Sequence, residues 1–102
     1  MRDIQKRTAE MTEKYGLNSS DIMMRYADLV SEVGELGKEL VLASDYGTKD
    51  LQIGEDVAME LGDVVFCLAL LANAMGLDLE ECFAKTAEKC ERRFDERGRI
   101  GS

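Results

Sequence analysis

Apolar residues recur along the chain at intervals of three and four, the repeat of a helix rather than a sheet, and the pattern predicts four helical segments. The first, about Asp3 to Tyr15, places Ile4, Met11 and Tyr15 on one stripe with Thr8 between them, and Gly16 stands where a glycine ends a helix. The second opens behind Ser19 and Ser20, both N-cap candidates, with Asp21 in its first turn, and runs to about Ala43. Its buried side is expected to be Met23, Tyr26, Leu29 or Val30, Val33, Leu36 and Leu40.

The third segment, about Gly54 to Met75, turns apolar nearly all round after Asp63, from Val64 to Ala72. A helix without a polar face must be covered on every side, and three partner helices in so small a chain can hardly do it. An oligomer follows as the expectation. Asn73 interrupts the run and reads as a hydrogen-bonded helix-end residue. Gly76 closes the helix; Asp78 as N-cap with Glu81 at the third helical position approximates a capping box for the fourth, which runs to about Asp95. Leu79, Cys82 or Phe83, Ala87, Cys90 and Phe94 are expected to face inward there, and the tail from Gly98 to Ser102 to fray.

Length makes 1–102 one domain, all-α. A formal charge of −8 argues against nucleic acid or an anionic membrane as a partner, since either needs a basic face. Any phosphate-bearing ligand has to arrive with metal. The chain has no histidine, which excludes Ser-His-Asp and Cys-His nucleophiles, His-ligated zinc and the Glu-x-x-His pairs of di-iron bundles. Carboxylates are what remains for acid-base or metal work. Cys67, Cys82 and Cys90 form no Cys-x-x-Cys pair and read as small packing residues of a protein in the reducing cytoplasm. The apolar run Val64 to Met75 falls short of the roughly 20 residues that cross a bilayer.

The chemistry concentrates in two short stretches, Glu32-Val33-Gly34-Glu35 and Glu60-Leu61-Gly62-Asp63. Carboxylates three apart are neighbours on one helix face. If the second and third helices are antiparallel, Glu35 and Glu60 lie roughly 12 and 9 Å from the connection, and Glu32 and Asp63 roughly 16 and 13 Å, at about 1.5 Å per residue. The two pairs come level. Each belongs to a longer stripe, Asp28-Glu32-Glu35-Glu39 and Asp56-Glu60-Asp63. Such a stripe can simply be a solvated face, but four carboxylates at one level repel unless a hard divalent cation with oxygen ligands lies among them. Gly34, Gly37 and Gly62 sit among the acids, each at about 1 kcal/mol relative to alanine, as expected where two backbones approach closely. On the last helix Lys85, Lys89, Arg92 and Arg93 gather positive charge, favourable at a helix C-terminus and suited to holding phosphate. Gly34-x-x-Gly37 is too short and too helical to cradle phosphate itself.

In this order, Glu-x-x-Glu, a connection of some two dozen residues, Glu-x-x-Asp and a basic Lys-x-x-x-Arg segment, the chain resembles the MazG-type all-α nucleoside triphosphate pyrophosphohydrolases. The carrying stretches are Ser31 to Leu36, Glu60 to Phe66, Gly76 to Glu81 and Ala87 to Phe94. The resemblance implies a four-helix MazG-like bundle assembled as a homodimer or homotetramer. It implies a Mg²⁺-dependent enzyme, with Mn²⁺ as a substitute, that cleaves a nucleoside triphosphate to the monophosphate and pyrophosphate, often to clear unwanted nucleotides. Glu32, Glu35, Glu60 and Asp63 match its metal-binding and catalytic acids, and Lys89 and Arg93 its basic positions near the substrate phosphates. Glu32 or Glu35 would accept the proton of the attacking water, since an acid beside other acids has a raised pKa. Many relatives carry asparagines where this chain has Leu70 and, on the last helix, Ala87, a departure that bears on substrate range. Phosphoribosyl-ATP pyrophosphohydrolase shares the acid pattern, and a non-catalytic helical module with acidic solvent faces is the competing class. For a base pocket, Gln5, Asn18 and Tyr26 are the candidates.

Overall fold

Four helices run in order through a computed structural model that describes residues 1–17 and 21–97: α1 (Arg2–Lys14), α2 (Ile22–Ala43), α3 (Glu55–Met75) and α4 (Leu79–Arg97). The expected caps at Ser19 and Ser20, Asn18 and the tail 98–102 lie outside the described residues. Several of the described boundaries have a local cause. Gly16 and Gly76, both at φ 69°, end α1 and α3 in the left-handed conformation that glycine adopts without a Cβ clash. Asp21, expected inside the first turn of α2, is its N-cap, and Oδ1 accepts from the amides of Met23 and Met24 at 3.0 and 3.3 Å. Asp78 caps α4 by accepting from Glu81 N at 3.2 Å.

Between α2 and α3 the chain turns through Asp45, Tyr46 and Gly47, three successive residues of positive φ. Ser44 Oγ accepts from Gly47 N at 3.1 Å, and Thr48 Oγ1 donates to Asp45 O at 2.6 Å. Gln52 N, donating to Ala43 O at 3.0 Å, closes the loop and aims α3 back along α2. The two helices pack along one another and α1 lies against α3, burying Thr8 on its inner face. The core is Val57, Ala69, Leu70, Leu71 and Ala72, all on α3.

That helix is long and apolar enough to cross a membrane when the turns before Val64 are counted, contrary to the shorter run considered from sequence. It is instead the central helix on which α1 and α2 pack, and it carries Glu60 and Asp63 in its first half. It is no convincing span.

Two expectations about packing hold only in part. On α2, Met23, Tyr26, Val30 and Val33 are more than half exposed, and Leu29, Leu36 and Leu40 are the residues turned toward α3. Periodicity identifies an apolar face; it does not say what covers it. On α4, Leu79, Cys82, Ala87 and Cys90 are half-buried as expected, but Phe83 is 70 % and Phe94 52 % exposed, and the helix has no packing surface comparable to that of the other three. Among the described residues, its hydrogen bonds to the rest of the chain gather at its first turn. Gln5 on α1 donates through Nε2 to Asn73 Oδ1 at 3.0 Å and to Leu77 O at 2.9 Å, and its Oε1 accepts from Leu79 N at 2.8 Å. Asn73 Nδ2 returns a bond to Gln5 O at 3.1 Å, and Arg2 Nε pairs with Asp78 at 3.0 Å. Asn73 is thus the hydrogen-bonded helix-end residue expected, and Gln5 is committed to this junction rather than to a base pocket.

Candidate functional site

The α2–α3 hairpin brings acids from both helices to one point. One carboxylate oxygen from each of Glu32, Glu60 and Asp63 lies within 4.8 Å of the other two. Glu32 and Glu60 are half-buried and Asp63 is exposed, so the group opens to solvent on one side. The cause is helical spacing: Glu60 and Asp63 share a face of α3, and α2 runs beside that face with Glu32 turned toward it.

Glu35, one turn along α2, is exposed and stands outside this trio, but its charge still reaches it. The Glu60 carboxyl is held above the ordinary carboxylate range, first by loss of hydration and then by the negative charges of Asp63, Glu32, Glu35 and Glu39. Toward the loop the stripes continue as Glu39 and Asp56, which with Leu42, Gln52, Glu55 and Val57 line a cavity of about 330 Å³.

The donor set fits a hard divalent cation. Three carboxylates offer only oxygen, they converge on one point, and one of them is already protonated more readily than an isolated acid would be. Cys67, one turn beyond Asp63, faces the same acids: burial first, then Glu32, Asp28 and Asp63, push its thiol up, and Arg25 opposes the shift. A thiol so placed is held protonated, poor as nucleophile or ligand. Sequence reading passed over this neighbour, although its spacing of four from Asp63 and seven from Glu60 places it on the acid face.

Lys89 and Arg93 are not brought to the acids within the chain. Both lie on the part of α4 beyond its tether, Lys89 exposed and Arg93 half-buried. Arg92 pairs instead with Glu88 on its own helix at 3.9 Å. Leu70 is 7 % exposed and belongs to the core. The glycines also depart from expectation: a methyl group built on Gly34, Gly37 or Gly62 meets nothing within 4 Å, so close approach of α2 and α3 does not account for them.

Residues 19–98 match the model of the MazG nucleotide pyrophosphohydrolase domain. The chain belongs to this MazG family. The match runs across the acid pairs and the basic segment alike. Among curated proteins, the MazG chain is 31 % identical to the uncharacterised protein YpjD of Bacillus subtilis over 95 % of its own length and 88 % of that protein's. It is 28 % identical to a second uncharacterised protein of the same organism, YvdC, over 93 % and 96 % of the two chains. No solved structure matches it.

Proposed function

We propose that this MazG chain is a cytoplasmic, Mg²⁺-dependent nucleoside triphosphate pyrophosphohydrolase, acting as one domain in nucleotide-pool house-cleaning. The observation that carries the reading is the convergence of Glu32, Glu60 and Asp63 within 4.8 Å in a site open to solvent.

These three carboxylates would hold the ion, with Mn²⁺ as a substitute. When bound, the ion neutralises phosphate charge and orients water against it. Without it, a chain of net charge −8 would repel a triphosphate. Glu35, outside the trio but one turn from Glu32, would take the proton as the water oxygen bonds to phosphorus. The anhydride bond between α and β phosphates breaks, and pyrophosphate leaves with the electron pair. Lys89 and Arg93 are the groups of this chain suited to its charge, and they serve only if α4 lies against acids from which it stands apart in the single chain.

The test is pyrophosphate release over a panel of deoxy- and ribonucleoside triphosphates and phosphoribosyl-ATP, with Mg²⁺ titrated from zero. Turnover of one or more nucleotides that requires the metal and disappears in Asp63→Asn, with helical content retained, is expected. Turnover of phosphoribosyl-ATP alone would move the assignment to histidine biosynthesis. Silence across the panel would sink the reading in favour of a non-catalytic helical module.

A further inference from the structure

Behind the helix that carries Glu60 and Asp63 lies a second opening. α1 and α3 leave between them a largely apolar groove of about 530 Å³, to which α1 contributes Ile4, Arg7 and Thr8 and α3 contributes Leu61, Gly62 and Phe66. At about 100° per residue, those three positions of α3 stand on the side opposite Glu60, Asp63 and Cys67. The groove is therefore separate from the acid cluster. Its size falls within the roughly 300–1,000 Å³ of small-molecule sites, and it shares their make-up, apolar walls with a few polar groups. Gly62 keeps it open: a Cβ at that position meets nothing within 4 Å, the free space being that of the groove it lines.

Two polar groups on its wall are unused by the fold. Thr8 is only 3 % exposed, yet its hydroxyl has no hydrogen-bond partner among the described residues; the bond from Thr12 Oγ1, at 2.9 Å, goes to the Thr8 carbonyl. The hydroxyl is not sealed in, so it is met by whatever fills the groove. Arg7, next in sequence, is exposed and is the one charged residue among those lining the groove. It forms no ion pair among the described residues. In a chain with 21 acidic and 13 basic residues, a shortage of carboxylates does not explain that.

We propose that the groove binds a small amphipathic anion, its apolar body lying between α1 and α3 and its one carboxylate, or similar group, accepting hydrogen bonds from Arg7 and the Thr8 hydroxyl. The chemistry of the wall selects such a ligand. Ile4, Leu61 and Phe66 offer nothing to a polar body, whereas a guanidinium presents paired donors to a carboxylate and the hydroxyl supplies a third. Glu60 and Asp63 do not forbid the charge. They stand across the width of a helix, about 10 Å, which exceeds the Debye length at physiological salt. The inference does not depend on the catalytic reading, and its test needs neither metal nor nucleotide.

Octanoate is the probe, titrated at low salt into the whole chain and followed by amide chemical shifts. Saturable binding is expected, with shifted amides on α1 and the first half of α3, and with affinity falling by up to about fourfold for each methylene removed toward butyrate. Octylamine, which the net charge of −8 favours, should bind the groove less tightly than octanoate. Arg7→Gln should weaken octanoate about threefold, as an exposed pair allows, and remove its advantage over octylamine. Gly62→Leu fills the groove and should abolish binding while circular dichroism shows helix content equal to or above that of the parent, which separates a blocked site from a lost fold. No saturable octanoate binding overturns the proposal, as does binding that survives Gly62→Leu or octylamine held in the groove as tightly as octanoate. A mass in solution above 11.4 kDa that Gly62→Leu lowers would assign the groove to a second copy of the chain and overturn it equally.

Discussion

Replacing Gln5 by alanine tests whether one side chain fixes the root of α4. Three hydrogen bonds end on the Gln5 amide: two donated, to Asn73 Oδ1 and Leu77 O, and one accepted from Leu79 N. Leu79 N is one of the first amides of α4, which have no partner inside the helix. A neutral bond contributes about 1 kcal/mol net, and a part-buried group left without its partner costs about 1–3 kcal/mol. Leu77 is exposed, so its carbonyl finds water; the loss concentrates on Asn73 and Leu79, both half-buried. The expected destabilisation is about 2 kcal/mol, which for a chain of this size lowers Tm by about 8–16 °C. Urea denaturation at fixed protein concentration measures it, and hydrogen exchange locates it: amides of α4 should lose protection before those of α3. Gln5→Glu gives the internal control. It keeps the acceptor for Leu79 N but sets a carboxylate oxygen against two other acceptors, Asn73 Oδ1 and Leu77 O, and should be no more stable than Gln5→Ala. Unchanged stability in Gln5→Ala, or exchange lost equally from α3 and α4, would refute the account of this junction.

Glu60→Gln should remove the Mg²⁺-dependent rise in Tm and the pyrophosphate release, and yet stabilise the metal-free chain at neutral pH by relieving repulsion. The sign follows from the raised carboxyl: the folded chain binds this proton at a pH where the unfolded chain has released it, so metal-free stability falls as pH rises from the ordinary carboxylate range through the raised value. Denaturation midpoints against pH should show that fall in the parent and a smaller one in Glu60→Gln. Asp78 acts in the opposite sense: its hydrogen bond from Arg2 first, with the amides of Glu81 and Glu80, holds its carboxyl below the ordinary value of 3.8. The stability it contributes is present above that value and is lost as pH falls through the depressed one, so Asp78→Asn should flatten the acid limb of the same curve. Gly76→Ala forces a side chain into φ 69° and should cost about 1 kcal/mol, whereas Gly62→Ala, inside α3 with nothing within 4 Å, should gain about as much; thermal melts of the two variants should move in opposite directions.

Helix ends and acid placement were legible because both are local. Gly16, Gly76 and Asp78 punctuate the chain by conformational preference and hydrogen bonding within a few residues. Carboxylates three apart share a face whatever else happens, and once the loop turns the chain back, Glu32 meets Glu60 and Asp63. What stayed out of reach was the choice among apolar faces. α2 is apolar over a wide arc, and nothing local distinguishes Leu29, Leu36 and Leu40, which turn to α3, from Val30 and Val33, which do not. The same ambiguity misplaced Phe83 and Phe94, whose spacing would suit a core that the single chain does not supply.

The root of α4 has a mechanical consequence. With its first turn pinned by Gln5 and Asp78 and its far end outside the packing of α1, α2 and α3, the helix is a lever whose fulcrum lies beside Leu79. Arg93 stands about 21 Å out along it at 1.5 Å per residue. A tilt of about 20° at the fulcrum therefore sweeps that guanidinium through about 7 Å, so modest adjustments near Gly76 translate into large excursions of positive charge at the tip.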